Sequence, residues 1–288
     1  MKPAAFDYFR PSSLEEALQQ LAACGASAKV IAGGQSLGPM LNMRLTTPTA
    51  IVDLNDLTEL AYIRDQGAQL HVGALTRHEQ IAESNLVQSR CPLLAQAAKT
   101  IGHYAIRQRG TIGGSLAHAD PAAQFALVAM TLSAEIEIAN HSGSRSLPAA
   151  DFFRSVMATA LMPDEIIRCV RFPTLSASEG TSFQLFNRRH GDYAIVAVAA
   201  SVALEGERVV HVRLGLSGVS AMPMVCDEMV RPFLSRIANP AWATEVASAV
   251  RAAITPEDDS SIAAVYRKEL AESLVEQALV CALARAKE

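Results

Sequence analysis

The sequence contains no Cys-x-x-C pair, no run of basic residues and no apolar stretch of membrane length, and each absence narrows what it can do. Its five cysteines, Cys24, Cys91, Cys169, Cys226 and Cys281, stand far apart with no clustered histidine, so neither a zinc site nor an iron–sulfur cluster is spelled out. None lies in a motif that would lower its pKa, so reduced core thiols are expected rather than a nucleophile. Lysine and arginine are scattered through a chain of net charge −4 and pI near 6.0, which leaves no footprint for nucleic acid or an anionic membrane. The longest apolar run, Ala194 to Leu204 broken by Ser201, is too short to span a bilayer, and the opening "MKPAAFDYFRPSS" has no apolar signal core. A soluble, cytoplasmic protein with no membrane span is expected. No G-x-G-x-x-G occurs among the sixteen glycines, so a Rossmann dinucleotide site is unsupported.

What is present is a chain of 288 residues, half of them apolar, enough to bury a large core in two or three lobes. Ser13 with Glu16 predicts a capping box opening a helix through Leu14, Leu18 and Leu21. "KVIAGG", "AIVDLN" (50–55) and "QLHVGAL" (69–75) read as strands, and Thr76 with Glu79 as another helix cap. Helical stretches from Pro92 to Ile101 and from Pro121 to Leu132 flank a second glycine pair, placing it between helices. "AEIEIAN" (134–140), a turn at 142–144 and "EIIRCVRFP" (165–173) are β again. After the polar link "TLSASEGTS" come "FQLFNRR", "AIVAVAASVALEGE" and "RVVHVRLGLSGV", a meander, and then a largely helical remainder from Cys226, punctuated by Pro232, Pro240 and Pro256. Mixed elements, then antiparallel strands, then helices predict an α+β fold rather than a doubly wound sheet. The expected divisions are 1–56, 57–175 and 176–288.

Two stretches about eighty positions apart, "VIAGGQSLGP" (30–39) and "GTIGGSLAHADP" (110–121), each lead from an apolar approach into a Gly-Gly pair and a Ser-Leu step. A glycine pair lets consecutive backbone amides close on phosphate oxygens, and glycine tolerates the left-handed dihedrals of such a nest. Either pair alone reads as a turn. Together, with hydroxyls at Ser36, Thr111 and Ser115, they can converge on one pyrophosphate. Gly33 and Gly38 have P-loop spacing, but Pro39 and Met40 stand where its lysine and hydroxyl should be, which argues against nucleotide hydrolysis.

The two stretches, extended to "AGGQSLGPMLNMRL" and "RQRGTIGGSLAHADPAAQ", are similar to the flavin-binding motifs of the FAD-binding medium subunit of molybdenum hydroxylases, the carbon monoxide dehydrogenase medium-subunit type. The resemblance continues in order through "FDYFRPSSLEEAL", "IVDLNDLTEL", "VGALTRHEQI", "CPLLAQAAKTIG", "FNRRHGDYAIVAVAA" and "VRLGLSGVSAMP", nearly the whole chain. It implies a fold of a small N-terminal lobe and a larger mixed lobe holding extended FAD between them, plus a C-terminal antiparallel sheet with a helical bundle. It implies contacts from Lys29, Val30, Ile31, Ala32, Gly33, Gly34, Gln35, Ser36 and Leu37, and from Thr111, Gly113, Gly114, Ser115, His118 and Asp120. Ile101 and Ile167 would lie near the flavin, and Tyr193 would cover its ring, against the simpler reading of a strand tyrosine in the core. Gln124 stands where many relatives carry an acidic residue for a ribose hydroxyl.

The resemblance further implies an electron-transfer subunit with no catalytic side chain and no metal of its own. An iron–sulfur small subunit with [2Fe–2S] clusters would deliver electrons from a molybdenum-pterin large subunit, two copies of each would assemble, and an external acceptor would take the electrons. A self-sufficient flavin oxidase or reductase, and a nucleotide-binding module without redox chemistry, are the competing classes. His103, His118 and His190 lie near the implied flavin motifs, whereas His71, His78, His141 and His211 read as packing or surface residues. Arg107, Arg109, Arg188 and Arg189 fit either a solvated face, neutralisation of phosphate or flavin, or subunit docking.

Overall fold

Ser13 Oγ accepts the Glu16 amide at 3.2 Å and starts helix Leu14–Cys24 in the computed structural model, which describes residues 2–176, 178–260 and 262–287. The expected capping box is only half made, because the Glu16 carboxylate accepts from the Ser12 amide at 2.7 Å rather than from Ser13. Ala17, Leu18 and Leu21 bury one helix face against a parallel sheet in which Asp7–Phe9 and Ala28–Ile31 flank the central strand Ala50–Asp53. Parallel neighbours need a crossover. Between Ile31 and Ala50 the chain makes it through the short helix Leu37–Asn42, so the first glycine pair sits where a parallel strand turns into a helix.

The middle sheet is antiparallel, in the order Ile63–Asp65, Gln69–Gly73, Ile166–Pro173, Glu135–Asn140, Gly143–Pro148. Its apolar residues, among them Leu70, Val72, Ile136, Ile138, Val170 and Phe172, pack with Leu93, Leu94 and Ala97 of helix Pro92–Lys99 and Phe125 and Val128 of helix Gln124–Thr131. The predicted turn at 142–144 is tightened by Asn140 Oδ1, which accepts the Ser142 and Gly143 amides at 2.9 and 3.1 Å. The last sheet is the expected meander, Glu179–Phe186, Val196–Glu205 and Arg208–Ser217, with Met224–Val225 added at the edge. Helices Pro240–Ala253 and Ala264–Ala286 cover it, burying Trp242, Val246 and Leu279 with Val198, Val202 and Leu214. A Cβ on Gly180 would come within 2.0 Å of the Ala282 carbonyl oxygen, so the long helix and the strand touch by backbone. Ala177 of the polar link lies outside the described residues. The architecture is α+β.

Two local expectations are corrected. The helix expected to be capped by Thr76 starts at His78, because the Thr76 hydroxyl donates to the Tyr62 carbonyl at 2.9 Å and Arg77 becomes the capping residue, its amide held by Gln80 Oε1 at 2.9 Å. The second glycine pair lies within the first turn of helix Ile112–His118 rather than between helices, since Thr111 Oγ1 caps that turn through the Gly114 amide at 3.2 Å.

Candidate functional site

Both glycine stretches come together at one seam, and Gly33 is the reason they can. A Cβ built there would lie 2.1 Å from the Arg109 carbonyl oxygen and 2.8 Å from Gly110 Cα, so any side chain would push the stretches apart. Gly34 next to it has φ +68°, the left-handed region, with only the Ile31 side chain near its missing Cβ. Of the four paired glycines only Gly34 uses that freedom; the nest expected to need it at both sites needs it at one. Gly113 is buried beneath the second stretch, its amide donating to the Ala74 carbonyl at 2.9 Å and its missing Cβ 2.8 Å from that oxygen. It is the close-packing glycine, while Gly114 is exposed and meets only Thr111 Oγ1.

Residues 30 to 38 are all half-buried, although Val30, Ile31 and Leu37 are apolar and end a core strand or open a helix. Lys29 is exposed, in register with Ile51. The Ala32 carbonyl is taken by Asn55 Nδ2 at 2.7 Å and the Gly33 carbonyl by Gln35 Nε2 at 2.9 Å, so both oxygens already have donors. The amides of Gly34, Gln35 and Ser36 donate to no backbone acceptor among the described residues, and Ser36 makes no side-chain cap to its helix. Ser115 is half-buried one residue beyond Gly114. Donors without acceptors, a bare backbone and little side-chain bulk are what a pyrophosphate requires, so the residues present fit the diphosphate of FAD.

The remaining expected positions fall on several elements. Helix Ile112–His118 ends on left-handed Ala119, after which Asp120 Oδ1 accepts the Ala122 amide at 2.8 Å. Gln124 begins the following helix and is only 7% exposed. Ile167 is buried beside Arg168, whose carbonyl accepts the Ala74 amide at 3.0 Å, and Ala74 in turn holds Gly113. Ile101 is half-buried, and its carbonyl accepts from Arg107 at 3.3 Å. Tyr193 is 65% exposed, which removes the reading of a core tyrosine. Partial burial, and then the charge of Asp120, raise its phenol pKa, so the end of the second stretch lies near the third sheet's loop. That loop also meets the Ile101 turn: the His103 and His190 rings are 5.4 Å apart, and a Cβ on Gly191 would strike His103 at 2.6 Å.

Of the arginines, Arg107 is committed to Glu79 at 2.6 Å with both side chains largely buried, and Arg189 pairs with Asp192 at 3.0 Å. Arg109 is exposed and contributes its carbonyl to the seam. Burial pushes the Cys91 and Cys226 thiols up to about 12, so neither is a nucleophile. Two residues of the seam were not anticipated. Asn55 and Arg77 link its sides: Arg77 donates to Asn55 Oδ1 at 2.8 Å and to the Arg109 carbonyl. The only sequence signal was their placement at or just past the ends of predicted strands.

Residues 4–175 match the model of the FAD binding domain in molybdopterin dehydrogenase, and residues 181–282 that of the CO dehydrogenase flavoprotein C-terminal domain. The chain is 38% identical to the 6-hydroxypseudooxynicotine dehydrogenase complex subunit alpha of Paenarthrobacter nicotinovorans, covering 100% of this chain and 97% of that one. It is 32% identical to the carbon monoxide dehydrogenase medium chain of Hydrogenophaga pseudoflava, over 99% of each. Among solved structures it superposes on quinoline 2-oxidoreductase from Pseudomonas putida 86 with a TM-score of 0.95 at 33% identity, covering 100% of both chains. Carbon monoxide dehydrogenase from Hydrogenophaga pseudoflava gives 0.94 at 33%, with 99% of both covered. No helix among the described residues is long and apolar enough to cross a membrane. This chain belongs to the FAD-binding medium subunits of the molybdenum hydroxylases, an oxidoreductase family that includes the carbon monoxide dehydrogenase medium chains.

Proposed function

We propose that the chain is the cytoplasmic electron-transfer flavoprotein subunit of a molybdenum hydroxylase. It receives electrons from the [2Fe–2S] clusters of a small subunit, which take them from a molybdenum-pterin large subunit, and passes them to an external acceptor. The observation that carries the reading is the seam itself: two glycine stretches in backbone contact, with amides at Gly34, Gln35 and Ser36 left without backbone acceptors among the described residues. FAD, when bound, supplies a group that accepts electrons one at a time and releases them in pairs. The work left to the protein is binding, orientation and exclusion of water.

In this reading the division 1–56, 57–175 and 176–288 is functional. The first two parts hold the diphosphate between Gly34, Ser36, Gly114 and Ser115. The third brings Tyr193 to the ring, where a flat side chain shields the reduced flavin from solvent. Ile101 and Ile167 line the flavin, and His118, Asp120 and Gln124 lie toward the adenosine. Gln124 offers an amide oxygen to a ribose hydroxyl, a weaker acceptor than a carboxylate. No side chain acts as an acid or base on the organic substrate, whose pocket belongs to the large subunit. The whole is a dimer of heterotrimers.

The test is to purify the chain alone and with its two partner subunits. Acid should release yellow FAD from the isolated chain into the supernatant, and substrate-driven reduction of an artificial acceptor should require all three subunits. Turnover of an organic substrate by the isolated chain at the rate of the full preparation would overturn the reading.

A further inference from the structure

Arg77 is a half-buried cation that, among the described residues, forms no ion pair. One guanidinium nitrogen donates to Asn55 Oδ1 at 2.8 Å and the other to the Arg109 carbonyl oxygen, both neutral acceptors. Asn55 is fixed in turn. Its Nδ2 donates to the Ala32 carbonyl at 2.7 Å and to Asp53 Oδ1 at 2.6 Å, so its orientation is unambiguous, oxygen toward the arginine. A continuous path thus runs from Ala32, just before the first glycine pair, through Asn55 and Arg77 to Arg109, just before the second stretch. It ends on the same Arg109 oxygen against which Gly33 is packed. Asp53, the nearest carboxylate on the path, is already engaged by Tyr8 and by Asn55. Burial, and then the positive charge of Arg109, pull the Arg77 pKa below its ordinary value, and the charge of Asp53 offsets them only in part.

We propose that Arg77 and Asn55 are positioning residues of the diphosphate cradle: they fix the spacing of the two glycine stretches through neutral acceptors and leave the arginine's charge to the ligand's diphosphate. The inference rests on the reading that both stretches face a dinucleotide diphosphate. A lysine could restore the charge but not the span, because an ammonium lacks the planar fork that reaches two acceptors at once.

The experiment titrates the full-length apoprotein with FAD and, separately, with ADP, which carries the diphosphate without the flavin. Arg77→Met should weaken both ligands by about tenfold or more, the scale of one charge-assisted hydrogen bond. Arg77→Lys should recover only part of the loss, and Arg77→Met combined with Asn55→Ala should be little worse than Arg77→Met alone, because the two share one path. The apoprotein's melting midpoint should stay within about 2 °C of the parent's. Unchanged affinity in Arg77→Met overturns the proposal, as does full rescue by lysine or a loss of affinity matched by a loss of the apo fold. Failure of the parent chain to bind either ligand would refute the cradle reading and this inference with it, whereas normal parent binding with an unaffected Arg77→Met refutes the inference alone.

Discussion

A methyl group at position 33 would sit 2.1 Å from the Arg109 carbonyl oxygen, and the obstacle is backbone, which cannot swing aside. Gly33→Ala should therefore part the two stretches and lower FAD affinity by about tenfold or more, equivalent to ~1.4 kcal/mol. Gly38 is the internal control, since nothing lies within 4 Å of its missing Cβ and its φ is not positive. Gly38→Ala should keep full flavin content and gain slightly in stability as a helix residue. Flavin absorbance per chain after gel filtration, beside far-UV circular dichroism, decides between them. At this scale the sequence was informative about the glycines and silent about their division of labour. Gly33 and Gly113 serve backbone approach, Gly34 a left-handed turn, and Gly114 an open face, yet all four look alike in a string. Asn55 and Arg77 escaped notice because their partners, Ala32 and Arg109, are remote in sequence and their types are ordinary at the end of a strand.

Helix His78–Glu83 meets the second stretch through its first residue. The His78 ring is 6% exposed, edge-on to Phe125 at 5.0 Å, and so close to Gly110 that a Cβ there would come within 2.6 Å. Burial pushes its pKa down to about 4 from an ordinary 6.5, so the folded protein holds the ring neutral. A histidine with a depressed pKa contributes fully above its unfolded value, and that contribution is lost as pH falls from 6.5 toward 4. At pH 5 the loss should be roughly 2 kcal/mol. Denaturant unfolding at pH 7 and pH 5, on the parent and on His78→Leu, should show that part of the acid sensitivity missing from the variant; equal slopes would reject it. Reading the sequence left His78 as either a packing or a surface residue, and the helix start was one residue off. That start was decided by the Thr76 hydroxyl reaching Tyr62, a contact between elements that local capping rules do not contain. The strands were easier to read, because period-two alternation in "AEIEIAN" and continuous apolar runs in "AIVAVAASVALEGE" are set by burial alone.

Among the described residues three apolar clusters, one under each of the larger sheets, stabilise the molecule, and the seam joins the parts built on the first and second sheets. A ligand that binds only when these parts are docked adds its binding free energy to their docking. FAD at about a hundred times its dissociation constant should stabilise the chain by ~2.7 kcal/mol, raising the melting midpoint by several degrees. The same addition to Gly33→Ala at equal concentration should raise it less. A midpoint indifferent to FAD in the parent chain would mean that the cofactor does not bridge the parts.

The contact of Gly33 with Arg109 also sets an order of events in the making of the protein. Gly33 packs against the backbone of Arg109, remote in sequence, so the seam is absent until the ribosome has delivered the chain past Arg109 and the two parts have closed on each other. With the flavin at this seam, as proposed, cofactor loading follows folding, and a yellow chain is one whose two glycine stretches have already met. A colourless one has yet to pass that inspection, whatever the state of its helices.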